Sequence, residues 1–223
     1  MKRRTTFLLA ALAAAVLSAG GSGAGQGGES ALDAKVRAFL ESRRWSWRDM
    51  NVPEADGQVL HEIIVKNGYK RVLEIGTSTG HSGIWMAWAL AKTGGTLTTI
   101  DIDEGRHGEA VANFKAAGLD FLIDARLADA HELVPALPGP WDLVFIDADK
   151  DWYTEYAKAV IPKLAAGGCL AAHNVSPPRS GGRFRSSGGG TGDYYQYITG
   201  LPEFETSFPP GGRNDLSVSY KKK

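Results

Sequence analysis

The sequence predicts an α/β fold: a doubly wound, mostly parallel seven-stranded sheet that ends in an antiparallel C-terminal edge hairpin. Short apolar runs alternate with helical stretches between residues 71 and 172, the rhythm of a parallel sheet with helices on both faces. Those runs are nearly continuous rather than alternating, as strands buried on both sides are. Two further strand-like segments, residues 204–208 and 216–220, follow with no helical stretch between them, which predicts the hairpin. The chain has 223 residues, 43% of them hydrophobic. That suits a single core, so residues 29–223 are expected to form one domain.

Taken in order, the chain begins with Lys2-Arg3-Arg4, an apolar run from Phe7 to Leu17, and small residues around Ser18-Ala19-Gly20. A positive start, a short apolar centre and a small-residue exit predict a secretory signal peptide, hence export to the periplasm or secretion. The run is shorter than the about 20 residues a membrane span needs, so no stable membrane anchor is expected. The glycine-rich stretch that follows, up to residue 28, is a flexible linker. Ser30 is placed to cap a helix over residues 31–43, with Leu32, Val36, Phe39 and Leu40 at helical spacing. A second helix starts at Pro53, a residue suited to a first turn, and stops at Asn67-Gly68.

From there strands are predicted at residues 71–75, 96–100, 121–127, 142–146 and 168–172. The helices between them are predicted at 82–91, 105–117, 130–136 and 152–164. Residues 176–192, rich in Pro, Gly and Ser, read as a loop. No internal repeat and no second domain is visible.

Lys+Arg and Asp+Glu each total 25, so formal net charge is zero and nothing suggests a nucleic-acid partner. The terminal Lys221-Lys222-Lys223 reads as a solvated tail. Cys169 is the single cysteine, so no intramolecular disulfide can form, and its strand setting makes it a small core residue.

The residues that carry chemistry gather where strands end. Val72-Leu73-Glu74-Ile75-Gly76-Thr77-Ser78-Thr79-Gly80 is a strand entering a glycine turn and then a helix. Such a turn lets backbone approach a ligand closely, and the crevice at strand carboxyl ends is where these sheets bind cofactors. The spacing Gly-x-x-x-Gly differs from the dinucleotide fingerprint. Asp101, ending the next strand, can accept hydrogen bonds from both hydroxyls of a ribose, as acidic residues in nicotinamide enzymes also do. Asp103 reads as a helix N-cap, and Asp129 either as a cap or as an acceptor for an adenine amino group. Phe145-Ile146-Asp147-Ala148-Asp149-Lys150-Asp151 and Ala172-His173-Asn174-Val175 end the fourth and fifth strands. Asp147, His173 and Asn174 would converge there with oxygen and nitrogen donors for a divalent metal.

These motifs, together with Met50-Asn51-Val52, Gly57-Gln58 and Asn214-Asp215-Leu216, resemble those of the catechol O-methyltransferase family. The resemblance runs from about residue 31 to residue 222. It implies a class I, Rossmann-like fold that uses S-adenosyl-L-methionine to methylate a hydroxyl of a small phenolic or catechol-like substrate. It further implies that Glu74, Gly76, Thr77 and Gly80, with Val52 and Ser82, surround the methionine part of the cofactor. Asp101 would hold the ribose and Asp129 the adenine region, and Ile102, Ala130 and Asp147 would also bind the cofactor. In metal-dependent members the positions matching Asp147, His173 and Asn174 bind magnesium, and the position matching Lys150 is the general base. A cofactor of cytoplasmic supply sits uneasily with an export signal.

The chain departs from that family at one point: the usual Asp-Asn pair after the fifth strand is His173-Asn174 here. Imidazole removes a negative charge and offers nitrogen, which suits transition metals better than magnesium. His173 is therefore a ligand for another metal, a base in a metal-free reaction, or a histidine without a role. Two other functions stay open: a methyltransferase-fold protein that holds cofactor without turnover, and a methyltransferase for a protein target. Trp45, Trp47, Trp152, Tyr153, Tyr194, Tyr195 and Tyr197 are candidates for an aromatic substrate wall or for ordinary packing. Arg179, Arg183 and Arg185 are candidates to attract an anionic substrate. The edge strand and the first helix are candidate surfaces for a homodimer.

Overall fold

The computed structural model describes residues 30–47, 50–176, 190–210 and 215–223. The expected signal segment and linker, the three loop arginines and Asn214 lie outside the described residues.

Helix α1 (Ala31–Ser42) is capped by Ser30, whose hydroxyl accepts from the Asp33 N–H at 3.0 Å. Helix α2 (Glu54–Asn67) ends at Gly68 in the left-handed region. Then follow β1 (Arg71–Ile75), α3 (His81–Thr93), β2 (Thr96–Asp101), α4 (Glu104–Ala117), β3 (Ile123–Leu127), α5 (Ala130–Ala136) and β4 (Trp141–Ile146). The chain closes with α6 (Tyr153–Val160), β5 (Leu164–Ala172), α7 (Thr191–Gly200), β6 (Phe204–Ser207) and β7 (Ser217–Lys221). The sheet order is β3-β2-β1-β4-β5-β7-β6. The first five strands are parallel, and β7 runs antiparallel between β5 and β6.

The near-continuous apolar strands have a simple cause. Successive side chains of a strand face opposite sides, and here both sides are covered. Leu73 and Ile75 of β1 pack with Val144, Ile146 and Tyr153 on one face. Val72 packs with Leu60, Ile64, Met86 and Leu97 on the other. Helix α3 is buried over residues 81–90 without a break, which is why its sequence is apolar all round.

Several boundaries differ from expectation. The segment predicted as strand from residue 121 opens with a 3-10 turn at Asp120–Leu122, so β3 starts at Ile123. The helix expected to reach residue 164 stops at Val160, because Pro162 lacks the N–H that a helix interior requires and the chain passes into a 3-10 turn. Strand β5 consequently begins at Leu164 rather than 168. Helix α7 was not anticipated. Its buried Thr191, Tyr194 and Ile198 do have helical spacing, but the glycine-rich lead-in masks it.

The functional consequence lies in the strand order. The chain runs outward from β1 to β2 and β3, then returns to place β4 on the other side of β1. Neighbouring crossovers thus leave in opposite directions at β1 and β4, and a crevice opens at their carboxyl ends.

Candidate functional site

The turn after β1 forms the floor of that crevice. Gly76 and Thr77 donate their N–H groups to the Ile100 carbonyl at 3.0 and 3.1 Å. Gly76 has φ 102°, and a Cβ there would lie 2.3 Å from the Asp147 carbonyl oxygen, so no other residue fits. Just before the turn, Glu74 is wholly buried. Its Oε1 accepts from the Ser82 hydroxyl at 2.5 Å and its Oε2 from the Thr99 hydroxyl at 2.6 Å. Thr99 and Thr77 share a further hydroxyl contact at 2.5 Å. Burial pushes the Glu74 carboxyl up to about 8, against the two hydroxyl bonds and helped by the charges of Asp147 and Asp101. Glu74 thereby ties β1 to β2 and α3 beneath the crevice.

Above this floor is a cavity of about 690 Å³. One half is rimmed by Ser78, Asp101, Ile102, Asp129 and Ala130. Asp101 Oδ2 accepts from the Ser78 N–H at 2.7 Å, and its Oδ1 accepts from the Asp103 N–H at 2.9 Å. Two backbone donors therefore fix the carboxylate at the rim. Asp103 caps α4 as expected, accepting from the Arg106 N–H at 2.8 Å. Asp129 caps α5 through the His131 N–H at 2.8 Å, as one of its two sequence readings had it, and also lines the cavity. The His131 ring stacks on Trp152 with centroids 3.9 Å apart.

The other half brings together Asp147, Lys150, His173 and Asn174, all of them anticipated, with Asp215. His173 is the hub. Its Nδ1 lies 3.4 Å from Asp147 Oδ1, and its Nε2 lies 3.4 Å from Asp56 Oδ2 and 3.7 Å from Asp215 Oδ1. Burial of the ring opposes its charged form. The neighbouring carboxylates of Asp147, Asp56 and Asp215 outweigh that and push His173 up to about 10. Asn174 follows in the left-handed region at φ 57°.

Sequence reasoning gave no role to Asp56 or Asp215. For Asp56 a signal existed: Asp56, Leu60, Ile63 and Ile64 form one buried helical stripe, and a carboxylate on an apolar stripe is out of place unless it has a partner.

Some expected residues lie elsewhere. Glu74, Thr77 and Ser82 sit in the buried hydroxyl network below the cavity, and Gly80 packs against Phe114, where a Cβ would come within 2.7 Å of the ring. Val52 lines a smaller cavity of about 290 Å³ with Trp47, His81 and Trp85. There Trp85 Nε1 donates to His81 Nε2 at 3.1 Å, which leaves His81 Nδ1–H to donate to the Val52 carbonyl at 2.9 Å.

Of the two readings of the aromatics, ordinary packing accounts for most of them. Trp45 is 81% exposed, and Trp47 stacks on His81. Tyr153 and Tyr194 are buried edge to face in the core. Tyr195 packs on Phe208, Tyr197 lies under Lys158, and Trp152 backs His131. Apart from the exposed Trp45, these rings pack against neighbouring side chains, and among the described residues Tyr156 lines the main cavity.

Residues 29–176 match the family model described as O-methyltransferase. A catechol O-methyltransferase of Niastella koreensis is 40% identical over 110 residues, covering 48% of this chain and 49% of that protein. A caffeoyl-CoA O-methyltransferase of Medicago sativa is 31% identical over 145 residues, covering 59% of this chain and 58% of that protein. The chain thus spans about half to three-fifths of the length of these relatives. Among solved structures, cofactor-bound Rv0187 from MTB superposes with a TM-score of 0.70 at 25% identity, over 86% of this chain and 91% of that one. With a family model matched across most of its length and the fold to go with it, the chain belongs to the O-methyltransferase family.

Proposed function

We propose that the protein transfers a methyl group from S-adenosyl-L-methionine to a hydroxyl of a small phenolic or catechol-like molecule. The observation that carries this is one cavity at the β1/β4 crevice with two unlike halves, a carboxylate rim and a cluster of Asp147, Lys150 and His173. The first half suits an adenosine. Asp101, held by two backbone N–H groups, keeps lone pairs for a pair of ribose hydroxyls. Ile102, 69% exposed beside it, offers an apolar surface for a flat ring, and Asp129 an acceptor for an amino group. Glu74 acts from below, fixing the turn on which Gly76 lets backbone come close.

When bound, S-adenosyl-L-methionine supplies a sulfonium methyl, an electrophile awaiting an oxygen nucleophile. This chain's part is to hold the acceptor hydroxyl in line and to take its proton. Lys150 faces the cavity and, reacting as its neutral amine, accepts that proton as the oxygen–carbon bond forms and the carbon–sulfur bond breaks. Holding the two reactants in one cavity contributes several kcal/mol of barrier reduction, of order 7 or more for well-aligned pairs. Magnesium does not fit the set Asp147, His173 and Asn174: an imidazole stands where that ion demands oxygen.

The test is calorimetric titration of S-adenosylhomocysteine, followed by turnover on a panel of phenols and catechols. Wild type is expected to bind in the micromolar range. Asp101→Ala should lose binding. Lys150→Ala should bind normally yet lose about 100-fold or more in turnover. Binding with no turnover by wild type on any acceptor would leave a cofactor-holding protein. No binding at all would overturn the proposal.

A further inference from the structure

His173 has two faces, and the second is a site of its own. On the Nε2 side three polar atoms converge, Asp56 Oδ2, His173 Nε2 and Asp215 Oδ1, all within 4.8 Å of one another. Each is fully buried and lacks a hydrogen-bond partner among the described residues. Asp56 is 1% exposed, so its carboxylate has no recourse to water. Separations of 3.4 and 3.7 Å are too long for good hydrogen bonds, which lie at about 2.7–3.2 Å. They are close to what a shared metal ion produces. Bonds of about 2.0–2.2 Å to nitrogen and oxygen place two ligands of one tetrahedral ion about 3.3–3.6 Å apart.

The ring's other nitrogen completes the pattern. A metal-bound histidine commonly donates its remaining N–H to a carboxylate, which fixes tautomer and orientation. Here Nδ1 faces Asp147 Oδ1 at 3.4 Å, a long contact that the ring can shorten, and Nδ1 is not among the buried atoms left without a partner as Nε2 is. Two carboxylates and one neutral imidazole also match the charge of a divalent cation, and nitrogen among the donors selects a first-row transition ion over magnesium or calcium.

We propose that Asp56, His173 and Asp215 form a binding site for a zinc-type divalent cation, on the Nε2 side of His173 and across the ring from Asp147. The ion joins the first turn of α2, the end of β5 and the segment entering β7, three elements that meet beside the acceptor half of the cavity. The site does not rest on the methyl-transfer proposal and is read with no methyl donor present.

The experiment titrates zinc chloride and, separately, magnesium chloride into chelator-stripped protein by calorimetry, with folding followed by circular dichroism. One zinc per chain is expected, bound about tenfold or more tighter than magnesium. Asp56→Asn and Asp215→Asn should each weaken zinc by about 10- to 100-fold or more, while Asn174→Ala leaves it unchanged. Nitrogen-15 spectra of the His173 ring should show Nε2 taking the metal and Nδ1 keeping its proton. If Asp56→Asn fails to fold, Asp215→Asn and the ring spectra decide. Absence of zinc binding by folded wild type would overturn the site and leave a proton as the cation among these carboxylates. Metal on Nδ1, or loss of binding in Asn174→Ala but not in the aspartate variants, would overturn it as well.

Discussion

Glu74 and Asp101 are both acidic, both close to the ends of neighbouring strands, and physically unlike. Asp101 sits at a rim with two backbone donors; Glu74 is wholly buried among hydroxyls and held up to about 8. The Glu74 shift has a consequence for stability. A carboxyl whose folded value exceeds its unfolded one binds a proton more readily in the native state. Its contribution is therefore fully present below about pH 4.5 and lost as pH rises through about 8, a change of order a few kcal/mol. Glu74→Gln keeps a neutral group able to bond Ser82 and Thr99 at every pH. Across thermal melts from pH 5 to 9, wild type should lose stability relative to this variant as pH rises, with the gap levelling above about pH 8. Parallel curves would refute the shift. That Glu74 is buried was legible from its place in an apolar strand; its hydroxyl partners were not, because Ser82 and Thr99 arrive from α3 and β2.

At the scale of elements, the β1 turn and α7 show what sequence carries and what it hides. The glycine turn was legible because only glycine tolerates both φ 102° and backbone contact at Gly76. Gly76→Ala should accordingly destabilise the fold by about 1–3 kcal/mol or more, seen as a lower melting temperature, and should weaken binding of S-adenosylhomocysteine in the same samples. A variant that melts and binds like wild type would show the turn to be tolerant. The strands were legible from their apolar runs, since burial on both faces leaves no polar positions to confuse them. Helix α7 was hidden by its short buried stripe of Thr191, Tyr194 and Ile198 after a glycine-rich approach. Ile198 is wholly buried against the sheet, so Ile198→Ala should cost about 2–5 kcal/mol in chemical denaturation. A loss below about 1 kcal/mol would mean that α7 contributes little to the fold.

For the whole molecule, the decisive feature is the return from β3 to β4, which opens the crevice; residues as distant as Asp101 and Asp215 line it, and Asp56 reaches His173 at its edge. Local pattern reads strands and turns; it does not read which helix will be folded over a strand end, so the carboxylates around His173 could not be assembled from spacing alone. The same logic sets where the domain begins. Helix α1 is not a loose leader. Val36 is wholly buried against α3 and α4 with Phe114 and Trp88. Asp33 accepts from Trp88 Nε1 at 2.5 Å and pairs with Lys92. The Lys92 bond, then those from Ser30 and Trp88, holds the Asp33 carboxyl well below the usual range. Burying one such valine is worth about 1.5–3 kcal/mol, and 1 kcal/mol moves the melting temperature of a domain this size by about 2–4 °C. Removing residues 1–28 should then leave the melting temperature unchanged within about 2 °C, whereas removing residues 1–43 should lower it by about 5 °C or more. Equal losses from the two truncations would mean that the stabilising contacts begin before Ser30. No loss from the longer one would mean that α1 is docked on the domain without supporting it.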